Sequence, residues 1–136
     1  MKEFRRSRRR QLAETVQVTD SMTDMVVGHI GNVSETGMLV MSNAPLVVDA
    51  LYQLRFGLPD GTVRLPFEVG TQLLWRDQAS APGQAWTGFR FITMSDDQMQ
   101  QLRRWIDAPG SQYACTPPTG SAQTGSAHRA CFLQRA

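Results

Sequence analysis

The residues that build most catalytic and metal centres are scarce in this chain. It has two histidines, His29 and His128, far apart, and two cysteines, Cys115 and Cys131, both near the C-terminus. A zinc site or a disulfide framework needs a denser, regularly spaced set. The thiols are therefore read as reduced, in a cytoplasmic protein, with a disulfide within the tail as the alternative. There is no Ser-His-Asp or Cys-His set and no glycine-rich phosphate cradle, so no enzymatic chemistry is expected. No apolar run approaches the roughly 20 residues that cross a bilayer as a helix, which argues against membrane insertion. Ser7-Arg8-Arg9-Arg10-Gln11-Leu12 looks superficially like a twin-arginine export signal. Such a signal continues into about 7–15 apolar residues. Here an alternating stretch with two acids, Ala13 to Asp20, follows instead, so export is not expected. Acidic residues are missing altogether between 109 and 136, and large apolar ones nearly so. That stretch, rich in Gly, Ser, Thr, Pro, Ala and Gln, reads as a disordered low-complexity tail.

The 136 residues present are enough for one domain, and 41% of them are hydrophobic. Charge is concentrated at the start. Lys2, Arg5, Arg6, Arg8, Arg9 and Arg10 against Glu3 give residues 1–10 a local charge of +5, and with a net charge of +2 the remainder carries −3. A protein that coats DNA spreads its positive charge over a face, whereas a short basic arm suits a compact anion. Beyond the arm the pattern is that of strands. Val16 and Val18 alternate with polar residues, and Met25–Ile30 is β-branched. Gly31 to Gly37 carries turn chemistry, and Met38–Met41 is apolar throughout, as in a strand buried on both faces. Tyr52, Leu54, Phe56 and Leu58 alternate into Pro59-Asp60-Gly61, and Val63, Leu65, Phe67 and Val69 alternate out of it, which is a hairpin signature. Pro66 within the second strand points to an edge or a bulge, Gly70 to a bend before Leu73-Leu74-Trp75, and Trp86–Ile92 to a last strand. Ser95 with Gln98 predicts a capping box. Met99, Leu102, Trp105 and Ile106 then recur at helical spacing until Pro109-Gly110. About six short strands and one terminal helix imply a mainly β fold, a six-stranded antiparallel β-barrel with a C-terminal α-helix. The predicted divisions are a flexible basic arm (1–12), the barrel domain with its helix (13–108) and the tail (109–136).

Two features carry ligand chemistry. Guanidinium groups present a rigid fork that matches phosphate oxygens and the O6/N7 edge of guanine, and they stack on bases. Asn32-x-Ser34-x-x-Gly37 at a turn offers side-chain hydrogen-bonding atoms, with Gly37 supplying backbone freedom. Alone, the first reads sooner as a solvated tail or a weak nucleic-acid contact, and the second sooner as an Asx/Ser turn. Together, Arg5-Arg6-Ser7-Arg8-Arg9 followed by Asn32-Val33-Ser34-Glu35-Thr36-Gly37 resembles the paired signature of the PilZ domain family. The likeness extends over residues 5–106, through the Leu-Pro-Asp-Gly hairpin and Gly88-Phe89-Arg90-Phe91, and leaves the tail unmatched.

The resemblance implies a receptor for the bacterial second messenger cyclic di-GMP, which has no cofactor and signals through an unidentified downstream protein. It implies that Arg5 and Arg9 clamp the ligand, that Asn32 and Ser34 hydrogen-bond to it, and that Gly37 shapes the turn. Arg6 and Arg10 have the same four-residue spacing and are alternative or additional phosphate contacts. One ligand or a stacked pair fits equally. Two other readings are an adaptor of the same fold that does not bind the nucleotide and a small-barrel nucleic-acid binder. The latter wants exposed aromatics along a basic groove, whereas Phe56, Phe67, Trp75, Phe89, Phe91 and Trp105 stand in apolar phase.

Overall fold

A computed structural model describes residues 8–113. Seven strands precede one helix: β1 (Arg10–Gln11), β2 (Gln17–Asp20), β3 (Met25–Val33), β4 (Gly37–Ser42), β5 (Leu51–Asp60), β6 (Val63–Gln78), β7 (Ala85–Thr93) and α1 (Asp96–Asp107). All pairings are antiparallel. Along the sheet the order is β3-β2-β5-β6-β7-β4, and β4 pairs back onto β3, so six strands close into a barrel. The two-residue β1 adds to the other edge of β3. Closure removes the open edges that an isolated sheet would expose.

The central hairpin follows from alternation. The ladder sets Leu54 against Val69, Phe56 against Phe67 and Leu58 against Leu65, and the two phenylalanine rings stack at 5.6 Å. Asp60 pairs with Val63, so the loop is Gly61-Thr62, one residue later than the Asp-Gly signature suggests. Gly61 has φ +62, which suits the first central position of a type II′ turn and strains other residues. Pro66 pairs with Gly57, and β7 joins β6 only from Gly70 onward, so Pro66 indeed lies on an edge. The predicted bend at Gly70 is a register shift within one long strand.

Of the apolar run Met38–Met41 in β4, Met38, Leu39 and Val40 are buried as expected, and Met41 is half-buried. Leu102, Trp105 and Ile106 of α1 enter the same core as the barrel residues. The Ser95 hydroxyl accepts from the Gln98 amide at 3.1 Å, closing the N-terminus as the capping box requires.

Three expectations change. Strand β3 does not stop at Ile30 but runs through Gly31-Asn32-Val33, because β1 and β4 pair with it on both edges. Residues 8–12, expected as free arm, are docked on β3 and α1. Residues 109–113, assigned to the tail, return to the arm: Arg10 and Tyr113 form a bridge and the Gln11 amide donates to the Gln112 carbonyl at 2.8 Å. The remaining arm and tail, with Arg5, Arg6, both cysteines and His128, lie outside the described residues. No helix among the described residues is long and apolar enough to cross a membrane.

Candidate functional site

The site begins with a fault in a ladder. In β3, Ile30 pairs with Val40 but Asn32 pairs with Leu39, so Gly31 is an extra residue opposite β4. Strand side chains alternate faces, and one inserted residue inverts the alternation beyond it. Ile30 and Val33 can therefore both enter the core, although three positions apart. The same inversion sends Asn32 and Ser34 together to the opposite face. Both are nonetheless sheltered, Asn32 at 3% exposure and Ser34 at 0%, because the arm covers them.

Ser34 organises the turn that follows. Its amide donates to the Gly37 carbonyl at 2.8 Å. Its hydroxyl oxygen accepts from the amides of Thr36 at 3.2 Å and Gly37 at 3.3 Å, and lies 3.1 Å from the Thr36 hydroxyl. Gly37 is not in a left-handed conformation, so the expected need for backbone freedom is corrected. The need is space: a Cβ there would stand 2.2 Å from the Phe89 carbonyl oxygen of β7.

Arg9, the residue before β1, reaches this turn. The β1–β3 register sets Arg10 against Val33 and Gln11 against Asn32, and one step further places Arg9 at Ser34. Its Nε donates to Asn32 Oδ1 at 2.6 Å, and its Nη1 donates to Ser34 Oγ at 2.8 Å. The side chain is fully buried. Desolvation lowers its pKa to about 9, still above neutrality, so Arg9 is a buried cation at pH 7. Burying a charge is costly unless it is well partnered, and the seat of Arg9 offers it hydrogen-bond acceptors at close range.

Alternation sends the flanking arginines the other way. Arg10 Nη1 donates to the Trp105 carbonyl at 2.6 Å, and its guanidinium lies 4.1 Å from the Trp105 ring centroid. Arg8 pairs with the Asp107 carboxylate and lies over the Tyr113 ring. Of the sequence candidates, Arg9, Asn32, Ser34 and Gly37 are thus brought together, Arg10 is directed to α1, and Arg5 and Arg6 lie outside the described residues. Thr36, Trp105, Asp107 and Tyr113 were not foreseen. Thr36 stands inside the motif, but the others are far away in sequence and carry no local signal. Among the described residues, no group of His, Cys, Asp and Glu could hold a metal ion, and Phe56, Phe67, Phe89 and Trp105 are buried in or against the core.

A family model described as the PilZ domain matches residues 3–108. No curated protein matches the sequence. Solved structures share the fold. YcgR from Escherichia coli in complex with c-di-GMP superposes with a TM-score of 0.61 at 21% identity, covering 75% of this chain and 44% of that one. The Bacillus subtilis inhibitor of motility MotI/DgrA gives 0.62 at 11% identity, covering 77% and 49%. The isolated PilZ domain of YcgR with c-di-GMP gives 0.57 at 18% identity, covering 75% and 88%. The chain thus spans less than half the length of the first two.

Proposed function

This chain belongs to the PilZ domain family, and from that membership we propose that it is a receptor for cyclic di-GMP, a binding module rather than an enzyme, that signals to a protein partner. One observation carries the reading. Arg9 of the basic arm is seated on Asn32 and Ser34, so the two halves of the sequence signature meet in one buried cluster. Two structures of YcgR, which has the same fold, hold c-di-GMP.

In this reading Arg9 and Arg5 clamp the ligand, with guanidinium forks on phosphate oxygens and guanine edges. Asn32 and Ser34 turn from holding Arg9 alone to supporting Arg9 and ligand together, and Gly37 keeps the turn closed against β7. The seat of Arg9 favours the Arg5/Arg9 register, because Arg10 faces α1. Arg6 and Arg10 then add long-range attraction for a ligand with two phosphate charges. Association should be salt-sensitive, since the arm's charge steers an anion through screened solvent.

Calorimetric titration of the full chain tests this. Wild-type protein is expected to bind cyclic di-GMP and not GTP, with a stoichiometry that separates one ligand from a stacked pair. Arg5→Ala/Arg9→Ala is expected to lose binding, and Arg6→Ala/Arg10→Ala to weaken it several-fold. If the second pair abolishes binding and the first does not, the register is Arg6/Arg10. Folded wild-type protein that takes up no cyclic di-GMP overturns the receptor reading.

A further inference from the structure

We propose that the C-terminal end of α1, with residues 111–113, is a docking seat that holds the arginine arm in its binding-competent position, so that ligand occupancy and the order of residues 105–113 are coupled. The proposal rests on the receptor reading above and concerns how that same site is regulated.

The seat is built from several contacts that share one direction. The last carbonyls of a helix lack intrahelical partners and attract cations. In α1, the Trp105 carbonyl is taken by Arg10 at 2.6 Å and the Ile106 carbonyl by the Tyr113 hydroxyl at 2.7 Å. Tyr113 also presents its ring to Arg8, 4.8 Å from the guanidinium carbon, and Asp107 pairs with the same guanidinium. The Gln11 amide donates to the Gln112 carbonyl at 2.8 Å, and Arg10 and Tyr113 form a β-bridge. Each exposed ion pair or ring contact is weak alone. Together they fix Arg8, Arg10 and Gln11.

Strand alternation makes this matter for the ligand. With Arg8 and Arg10 anchored on α1, the side chain between them can only point toward Asn32 and Ser34. The seat thus orders Arg9 before any ligand arrives, and the entropy of ordering this part of the arm is not charged to binding. Thermodynamic linkage makes the relation reciprocal. A seat that raises ligand affinity by some factor is itself stabilised by the ligand by that factor. Asp107 and Tyr113 are therefore positioning residues. The stretch 105–113 is the part of the described chain whose opening the ligand suppresses, a signal that a partner protein can read.

The test uses the full chain, with amide hydrogen exchange and calorimetry on the wild type, Asp107→Asn/Tyr113→Ala and Tyr113→Phe. Without ligand, the double variant is expected to exchange faster at residues 8–12 while keeping the barrel's melting transition. Its affinity for cyclic di-GMP should fall roughly tenfold, with Tyr113→Phe, which keeps the ring under Arg8, falling by no more than roughly threefold. In the wild type, ligand should slow exchange at 105–113. Unchanged affinity in the double variant, or no ligand effect at 105–113 in a wild type that binds, overturns the coupling. A gain in affinity overturns it too, by making the seat a competitor for the arm. A wild type that does not bind sinks the receptor reading and the coupling with it. The ligand-free exchange comparison still decides separately whether the seat holds the arm.

Discussion

The β3–β4 turn is tied together by contacts within four residues, Ser34 serving Thr36 and Gly37. The arm segment beside it is held by partners 95 and 99 residues away, Trp105 and Asp107. The turn is also walled in by β7, with no room for a single extra carbon at Gly37. The arm's outer contacts are solvent-exposed, with Arg8 and Asp107 side chains each 57% accessible. The difference teaches that the site is half rigid and half conditional. The turn makes its own hydrogen bonds, whereas the arm depends on others: a two-residue ladder to β3, the Arg9 bonds to Asn32 and Ser34, and weak distant contacts on α1. Local unfolding starts where buried contacts are few, which here means the arm.

Substitutions can break this contrast on either side. Gly37→Val drives side-chain carbons into the Phe89 carbonyl and should cost about 3 kcal/mol in urea unfolding, taking ligand binding with it. Milder unfolding by Gly37→Val would mean that the turn gives way more easily than its packing implies. Ser34→Ala removes the shared acceptor of the turn and of Arg9 and should cost about 1–3 kcal/mol, because a buried cation loses a partner. A near-zero result there would show that Arg9 is held in place without Ser34. Arg10→Ala touches the arm only and should cost about 1 kcal/mol or less, readable as a small drop in melting temperature. A larger loss would show that the arm is a structural member of the barrel and would dissolve the contrast.

Much of the barrel is legible in the sequence because each piece is signalled locally. Tyr52 to Leu58 and Val63 to Val69 announce a hairpin by alternation, Ser95 with Gln98 announces the helix start, and Asn32-x-Ser34-x-x-Gly37 announces the turn. Position of Arg9 over that turn is harder to read, since it depends on the β1–β3 register, and β1 has only two paired residues. The docking of Arg8 and Arg10 on α1 is illegible. Nothing near Asp107 or Tyr113 in sequence shows that an arginine will arrive from the other end of the chain. The place of Tyr113 is illegible for the same reason. Residues 109–113 have the composition of a linker, yet Tyr113 packs against the core and bonds to the Ile106 carbonyl. Gly37 was identified for the wrong property, because close approach of another strand leaves no trace in local composition.

The skipped residue at position 31 makes the face shared by Asn32 and Ser34 a question of odd and even. Paired in turn like its neighbours, it would act on the strand as a frameshift acts on a message. Val33 would turn outward, Asn32 and Ser34 would turn inward, and every hydrogen-bonding group would still be present in the chain. Deleting Gly31, by contrast, leaves Ile30, Asn32 and Val33 in step with β4 and takes away only the kink. The message stays in frame because one letter is passed over.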